Sequence, residues 1–173
     1  PDRLERNMTR ARRFDLIAFD WDGTLFDSTA LIARCIQQAC SDLGLPVPSL
    51  ADASYVIRLG LGDALRHAVP DLAEPDYPRM VERYRHHYLA RDHELTLFPG
   101  VVDTLAWLVE QGRMLGVATG KSRAGLDRAL GHSGLGAYFH STRCADECFS
   151  KPHPAMLEEI MGELGVERER TLM

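Results

Sequence analysis

Lysine is almost missing from this chain. Of its 20 basic residues only Lys121 and Lys151 are lysines; the other 18 are arginines. Where arginine serves the ordinary solubilising positions, a retained lysine marks either a place that needs a compact ammonium or a chance of codon usage, and the motifs have to decide between them. Long apolar runs are missing too. No stretch approaches the roughly 18 residues that cross a bilayer, so no transmembrane helix is expected. Residues 1–13 hold five arginines against Asp2 and Glu5 and no apolar segment, so they read as an N-terminal tail rather than a secretory signal, with Met8 a candidate natural start. There is no excess of positive charge: a net charge of −5 argues against a nucleic-acid or anionic-membrane partner.

Cysteine is scarce and unpatterned. Cys35, Cys40, Cys144 and Cys148 do not form the C-x2-C pairs of a zinc ribbon, and a chain of 173 residues needs no covalent staples. Reduced thiols in a cytoplasmic protein are the expectation, with Cys144 and Cys148 as a metal or redox pair the minor alternative. The histidines are scattered, and His86, His87 and His93 lack the spacing of a helical zinc site. Internal repeats and low-complexity stretches are absent.

What is present is a chain long enough for one domain, 45% hydrophobic and 26% charged, the balance of a globular protein with a real core. Phe14 to Phe19 is a short apolar run ending at Asp20, the signature of a buried parallel strand. Ser28 can cap a helix from Thr29 to about Leu43, in which Leu31, Ile32, Cys35, Ile36 and Ala39 recur at helical spacing, and Gly44 and Pro46 end it. From there to Phe98 the pattern is helical: a turn over 50–59, a short helix after Gly60 and a longer one over 75–91. Pro99-Gly100 breaks it. Beyond lie a helix over 101–110, a second buried strand over 114–119, a helix over 122–130, a short strand over 138–141 and a helix over 154–164. Thr171-Leu172-Met173 opens a further apolar run. Strands alternating with helices predict an α/β fold on a parallel sheet, and the helical insert after the first strand belongs at the carboxyl end of that sheet, where ligands bind.

The strongest chemical signal is Asp20-Trp21-Asp22-Gly23-Thr24-Leu25, directly after the first strand. Chance would produce it on the order of once in a thousand such chains. Two carboxylates two residues apart on a strand-to-loop turn can point into one site, with Gly23 permitting the bend. Crowded carboxylates repel, so they need a cation or a proton; one can act as nucleophile and the other as general acid and base. The competing reading is a pair of turn and cap aspartates, common before helices.

Asp-Trp-Asp-Gly-Thr-Leu-Phe-Asp-Ser resembles the first motif of the haloacid dehalogenase (HAD) superfamily in its phosphatase form. The resemblance implies a Rossmann-like parallel core made of 14–26 and 99–173, an inserted helical cap over 27–98, and an aspartyl-phosphate mechanism. It implies Asp20 as nucleophile, Asp22 as acid and base, and Mg²⁺ held by the Asp20 carboxylate and the Asp22 backbone carbonyl. Thr119-Gly120-Lys121-Ser122, at the end of the second strand, offers a hydroxyl and backbone N–H groups at a helix start, a phosphate cradle. It matches the second motif, so Thr119 and Gly120 are implied to bind the phosphoryl group; Lys121 is either a substrate contact or a solvated side chain. A P-loop fails on register, because Leu115 stands where its first glycine belongs. Ser150-Lys151-Pro152-His153-Pro154 matches the third motif, in which Lys151 offsets the charge of nucleophile and phosphate.

Gly131-His132-Ser133-Gly134 imitates a nucleophile elbow but has Leu135 where the last glycine is required. Trp107 and Phe98 read as core or hinge packing, and Arg58 is the candidate anion contact from the cap. The family's fourth motif, an acidic pair that completes the Mg²⁺ ligands, normally follows the next strand. Asp146 and Glu147 come too early for it and are candidates for the site rim. The run at Thr171 breaks off in mid-strand, so a chain that lacks its continuation is expected rather than a crippled enzyme. The expected activity is a Mg²⁺-dependent phosphatase for a small phosphorylated metabolite, phosphoglycolate-like. A phosphosugar mutase of the same fold, or a non-catalytic phosphate- or partner-binding remnant, is the alternative.

Overall fold

The structure, a computed structural model, describes residues 13–55, 61–70 and 72–173. Four strands, β1 (Leu16–Phe19), β2 (Met114–Thr119), β3 (Ser141–Cys144) and β4 (Thr171–Leu172), form one parallel sheet in the order β3-β2-β1-β4. Among the described residues seven α-helices accompany them: α1 (Thr29–Asp42), α2 (Leu50–Tyr55), α3 (Leu61–Ala68), α4 (Tyr77–Leu89), α5 (Val101–Glu110), α6 (Arg123–Ser133) and α7 (Ala155–Leu164). The expected α/β class is the observed one.

The sheet is covered on both faces, which is why β2 is almost continuously apolar and buried. On one face Leu115 and Val117 meet Leu105 of α5 and Leu126 of α6. On the other, Leu16 and Ala118 meet Met156 and Ile160 of α7. Gly116 lets α7 sit close: a Cβ there would lie 3.0 Å from Ile160 Cγ2. β4 is tied to the start of β1 by a two-pronged ion pair, Arg170 Nε and Nη2 each donating to Asp15 over 2.7 Å.

Between β1 and β2 the chain leaves the sheet and builds a helical unit with a core of its own. Cys35, Ile36 and Ala39 of α1 pack with Ala53 of α2, Leu65 of α3 and Met80 of α4. The outgoing and returning segments run side by side: Asp27 N–H donates to the Thr96 carbonyl at 3.0 Å, and Phe98 N–H to the Leu25 carbonyl at 3.0 Å. A two-ply connection thus joins the helical unit to the carboxyl end of β1.

Three local expectations change. The third strand lies at Ser141–Cys144, three residues later than its apolar signal, because Leu135–Tyr138 coils into a 3-10 turn that buries Leu135 in the core. Trp107 is not core packing: it is 57% exposed on the outer side of α5. Ser28 precedes α1 as anticipated, and its carbonyl accepts from the Ile32 N–H, but its side chain makes no cap hydrogen bond; its hydroxyl is used elsewhere.

Candidate active site

The carboxyl ends of the strands turn toward the helical unit, and the chemistry-bearing residues collect there. After β1 the backbone folds back on itself, with the N–H groups of Thr24, Leu25 and Phe26 all directed to the Trp21 carbonyl. Gly23 makes this possible at φ +74°, a left-handed conformation that costs glycine nothing. The side chains alternate through the turn. Trp21 goes inward, 1% exposed and stacked on Phe26 with ring centres 5.2 Å apart, while Asp20 and Asp22 face the site.

Each aspartate is paired with its own lysine. Lys151 Nζ donates to Asp20 Oδ1 at 2.9 Å, and the Trp21 N–H donates to the same oxygen at 2.7 Å. Lys121 Nζ lies 3.2 Å from Asp22 Oδ2, and the Ser28 hydroxyl donates to Asp22 Oδ1 at 2.7 Å. The chain's two lysines and the two carboxylates of one tripeptide thus form a locally neutral cluster. Lys121 is no solvated side chain, being only 11% exposed. Burial alone would push its ammonium toward the neutral form, but Asp22 and the Tyr88 hydroxyl outweigh that and hold its pKa above the ordinary lysine value.

Thr119 ends β2 fully buried, its Oγ1 accepting from the Lys121 N–H at 3.2 Å, and half-buried Gly120 follows it. Ser122 caps α6, its Oγ accepting from the Gly125 N–H. The structure therefore brings Asp20, Asp22, Thr119, Gly120, Lys121 and Lys151 to one end of the sheet. Arg58 lies outside the described residues. Asp146 and Glu147 fasten the loop after β3: Asp146 accepts from the Arg123 N–H, and Glu147 pairs with the Arg123 guanidinium and takes the Cys144 N–H.

Two participants carry no sequence signal of this role: Ser28 stands in a helix-cap position, and Tyr88 lies on the helix α4 with no motif around it. Tyr88 accepts from Lys121 Nζ at 2.8 Å. A cavity of about 160 Å³ opens beside them, between the Trp21-Asp22 turn, Tyr88 and His93 on one side and Arg128 and His132 of α6 on the other. Among the described residues no cluster of three or more His, Cys, Asp or Glu side chains could hold a metal, and all four cysteines are free, with burial pushing the Cys144 thiol up to about 12.

A parallel α/β core with a D-x-D turn at the end of its first strand and a helical insert behind that turn defines a class. The family model for haloacid dehalogenase-like hydrolases matches residues 17–173, and the chain belongs to that family. Within it the sequence is phosphoglycolate phosphatase-like. It is 33% identical to the phosphoglycolate phosphatase of Yersinia pestis over 162 residues, 90% of this chain and 70% of that one. It is 32% identical to that of Pseudomonas putida over 169 residues, 91% of this chain, but spans only 60% of that relative's length. Among solved structures, a predicted phosphoglycolate phosphatase from Haemophilus somnus 129PT superposes with a TM-score of 0.77 at 27% identity, covering 93% of this chain and 76% of that one. A haloacid dehalogenase-like hydrolase from Bacteroides fragilis shares the fold at a TM-score of 0.82 and 21% identity, covering 91% and 76%.

Proposed function

We propose that this chain carries the phosphoryl-transfer site of a Mg²⁺-dependent phosphatase that hydrolyses a small phosphorylated metabolite of the phosphoglycolate kind. The observation that supports this best is the Asp20–Lys151 pair at 2.9 Å beside the buried hydroxyl of Thr119. A carboxylate and a hydroxyl at adjacent strand ends, joined by an ammonium from the loop before α7, suit an incoming phosphoryl group.

The donor chemistry fits a hard cation. Asp20 Oδ2 accepts no hydrogen bond from the described residues, and the Asp22 carbonyl is a second oxygen on the same turn. Mg²⁺ is commonly held by one or two carboxylates together with waters and substrate phosphate, so these two groups would hold it. When bound, it supplies charge neutralisation for the phosphate oxygens.

In this reading an Asp20 carboxylate oxygen attacks phosphorus, forming the aspartyl-phosphate as the ester P–O bond breaks. Asp22, which enters this step protonated, passes that proton to the leaving oxygen and is left as the carboxylate that Lys121 pairs with. Water then attacks the phosphorus, Asp22 takes its proton, and the Asp20–phosphate bond breaks to release inorganic phosphate. Lys151 neutralises the charge that would otherwise repel substrate from Asp20, and the Thr119 hydroxyl and Gly120 N–H orient the phosphoryl oxygens. The helical unit over 27–98, hung on its two-ply connection, acts as a lid that excludes bulk water and selects the leaving group.

Turnover of para-nitrophenyl phosphate with Mg²⁺, abolished by Asp20→Asn, is the expected result. A folded protein inert toward this ester and toward a panel of phosphorylated metabolites overturns the proposal.

A further inference from the structure

The two aspartates are held differently. Among the described residues, those that fix Asp20 belong to the core: the Trp21 N–H and the Lys151 ammonium. Both oxygens of Asp22, by contrast, depend on the helical unit. Oδ1 takes the hydroxyl of Ser28, which stands at the start of α1. Oδ2 takes the ammonium of Lys121, which is itself anchored on Tyr88, in the last turn of α4.

The anchor is stiff where the lysine is not. Lys121 has a flexible four-carbon stem and three N–H donors, one directed to Asp22 and another to the Tyr88 hydroxyl. Its ammonium also lies 4.8 Å from the centre of the Tyr88 ring. That ring stacks on Tyr84, with centres 5.8 Å apart and planes at 22°, and Tyr84 is buried in the core of the helical unit. A rigid aromatic pair rooted in one unit therefore sets the position of a mobile cation rooted in the other.

We infer that Tyr88 is a positioning residue: its hydroxyl latches Lys121, and through it Asp22, to α4, so that seating the helical unit on the core and setting the geometry of the Lys121–Asp22 pair are one event. The inference rests on the proposed acid–base role of Asp22. The described contacts of the nucleophile lie on the core, whereas Asp22 is aligned through contacts that reach the helical unit.

The test compares Tyr88→Phe, Lys121→Met, the double variant and Tyr84→Phe in steady-state hydrolysis of para-nitrophenyl phosphate, with hydrogen exchange read over Tyr77–Leu89 and Thr119–Ser122. Phenylalanine at 88 keeps the stack and loses only the hydroxyl. Tyr88→Phe is expected to lower kcat about ten- to a hundredfold, as small misplacements of catalytic groups do, with KM changed less than about twofold because the phosphoryl cradle lies on the core. The double variant is expected to be no slower than Lys121→Met, and Tyr84→Phe to match the wild type. Exchange near Leu89 is expected to quicken in Tyr88→Phe but not in Tyr84→Phe. Wild-type kcat in Tyr88→Phe, a loss confined to KM, or losses that multiply in the double variant would each overturn the inference. If the wild type hydrolyses no phosphate ester, the phosphatase reading fails instead, and exchange alone decides on the latch: unchanged protection in Tyr88→Phe overturns it.

Discussion

Replacing Asp22 by asparagine keeps the shape of the side chain and an oxygen for the Ser28 hydroxyl, but turns an amide toward Lys121 Nζ where a carboxylate oxygen now lies 3.2 Å away. At that separation two unit charges interact by about 5 kcal/mol in an effective dielectric of about 20. Part of this already offsets the desolvation of two side chains that are each only 11% exposed. Breaking one member of such a buried pair typically costs about 3–5 kcal/mol; because Lys121 retains the Tyr88 hydroxyl as a partner, a loss of about 3 kcal/mol is expected. For a chain of this size that is a fall in Tm of roughly 6–12 °C. Lys121→Met leaves the opposite charge stranded and is expected to cost a similar amount. In Asp22→Asn/Lys121→Met neither charge remains, so the double variant is expected within about 1 kcal/mol of the wild type, a coupling of several kcal/mol. Urea unfolding followed by circular dichroism measures all four proteins. Additive losses, with the double variant the least stable, would refute the idea that Asp22 and Lys121 support each other.

Two further outcomes follow from packing and charge. Gly116→Ala drives a methyl to 3.0 Å from Ile160 Cγ2 and 3.4 Å from the Ser141 carbonyl, inside a fully buried contact; overpacking of this kind is expected to cost about 1–3 kcal/mol, read as a lower urea midpoint at unchanged slope. The hydrogen bond from Arg123 holds the Glu147 carboxyl below the usual glutamate range. A depressed carboxylate contributes stability that is present above its unfolded value of about 4.3 and is lost as pH falls through the folded value. Wild type is therefore expected to lose more stability than Glu147→Gln between neutral and acidic pH, and parallel pH profiles for the two proteins would exclude this clasp as a contributor.

The parts of the site that were legible in the sequence are those where chemistry and strand end coincide. Asp20, Thr119 and the boundaries of β2 and α5 came out of short apolar runs that stop at a polar residue or a Pro-Gly break, because a strand buried on both faces has no room for polarity until it leaves the sheet. The third strand was misplaced because β3 carries Thr142 and Arg143 near the sheet's edge, while the apolar pair Tyr138 and Phe139 before it packs from a turn. Trp107 was misjudged because residue type says what a side chain would gain by burial, not whether a neighbour exists to bury it.

The scarcity of lysine has a spatial meaning that only the fold supplies. By itself the sequence determined that the two lysines stand in motifs that match those of the family, that two aspartates share one turn, and that a helical insert lies between them and the second strand. These are local properties, written in runs and spacings of a few residues. Which lysine pairs with which aspartate, that Ser28 serves Asp22 instead of capping α1, and that Tyr88 of the insert reaches Lys121 of the core were decided by tertiary structure. No periodicity connects Tyr88 to Lys121. Their contact exists because the packing of α1 against α4 and the paired connection at Asp27 and Thr96 set where the helical unit rests, and that placement depends on many weak contacts distant in sequence.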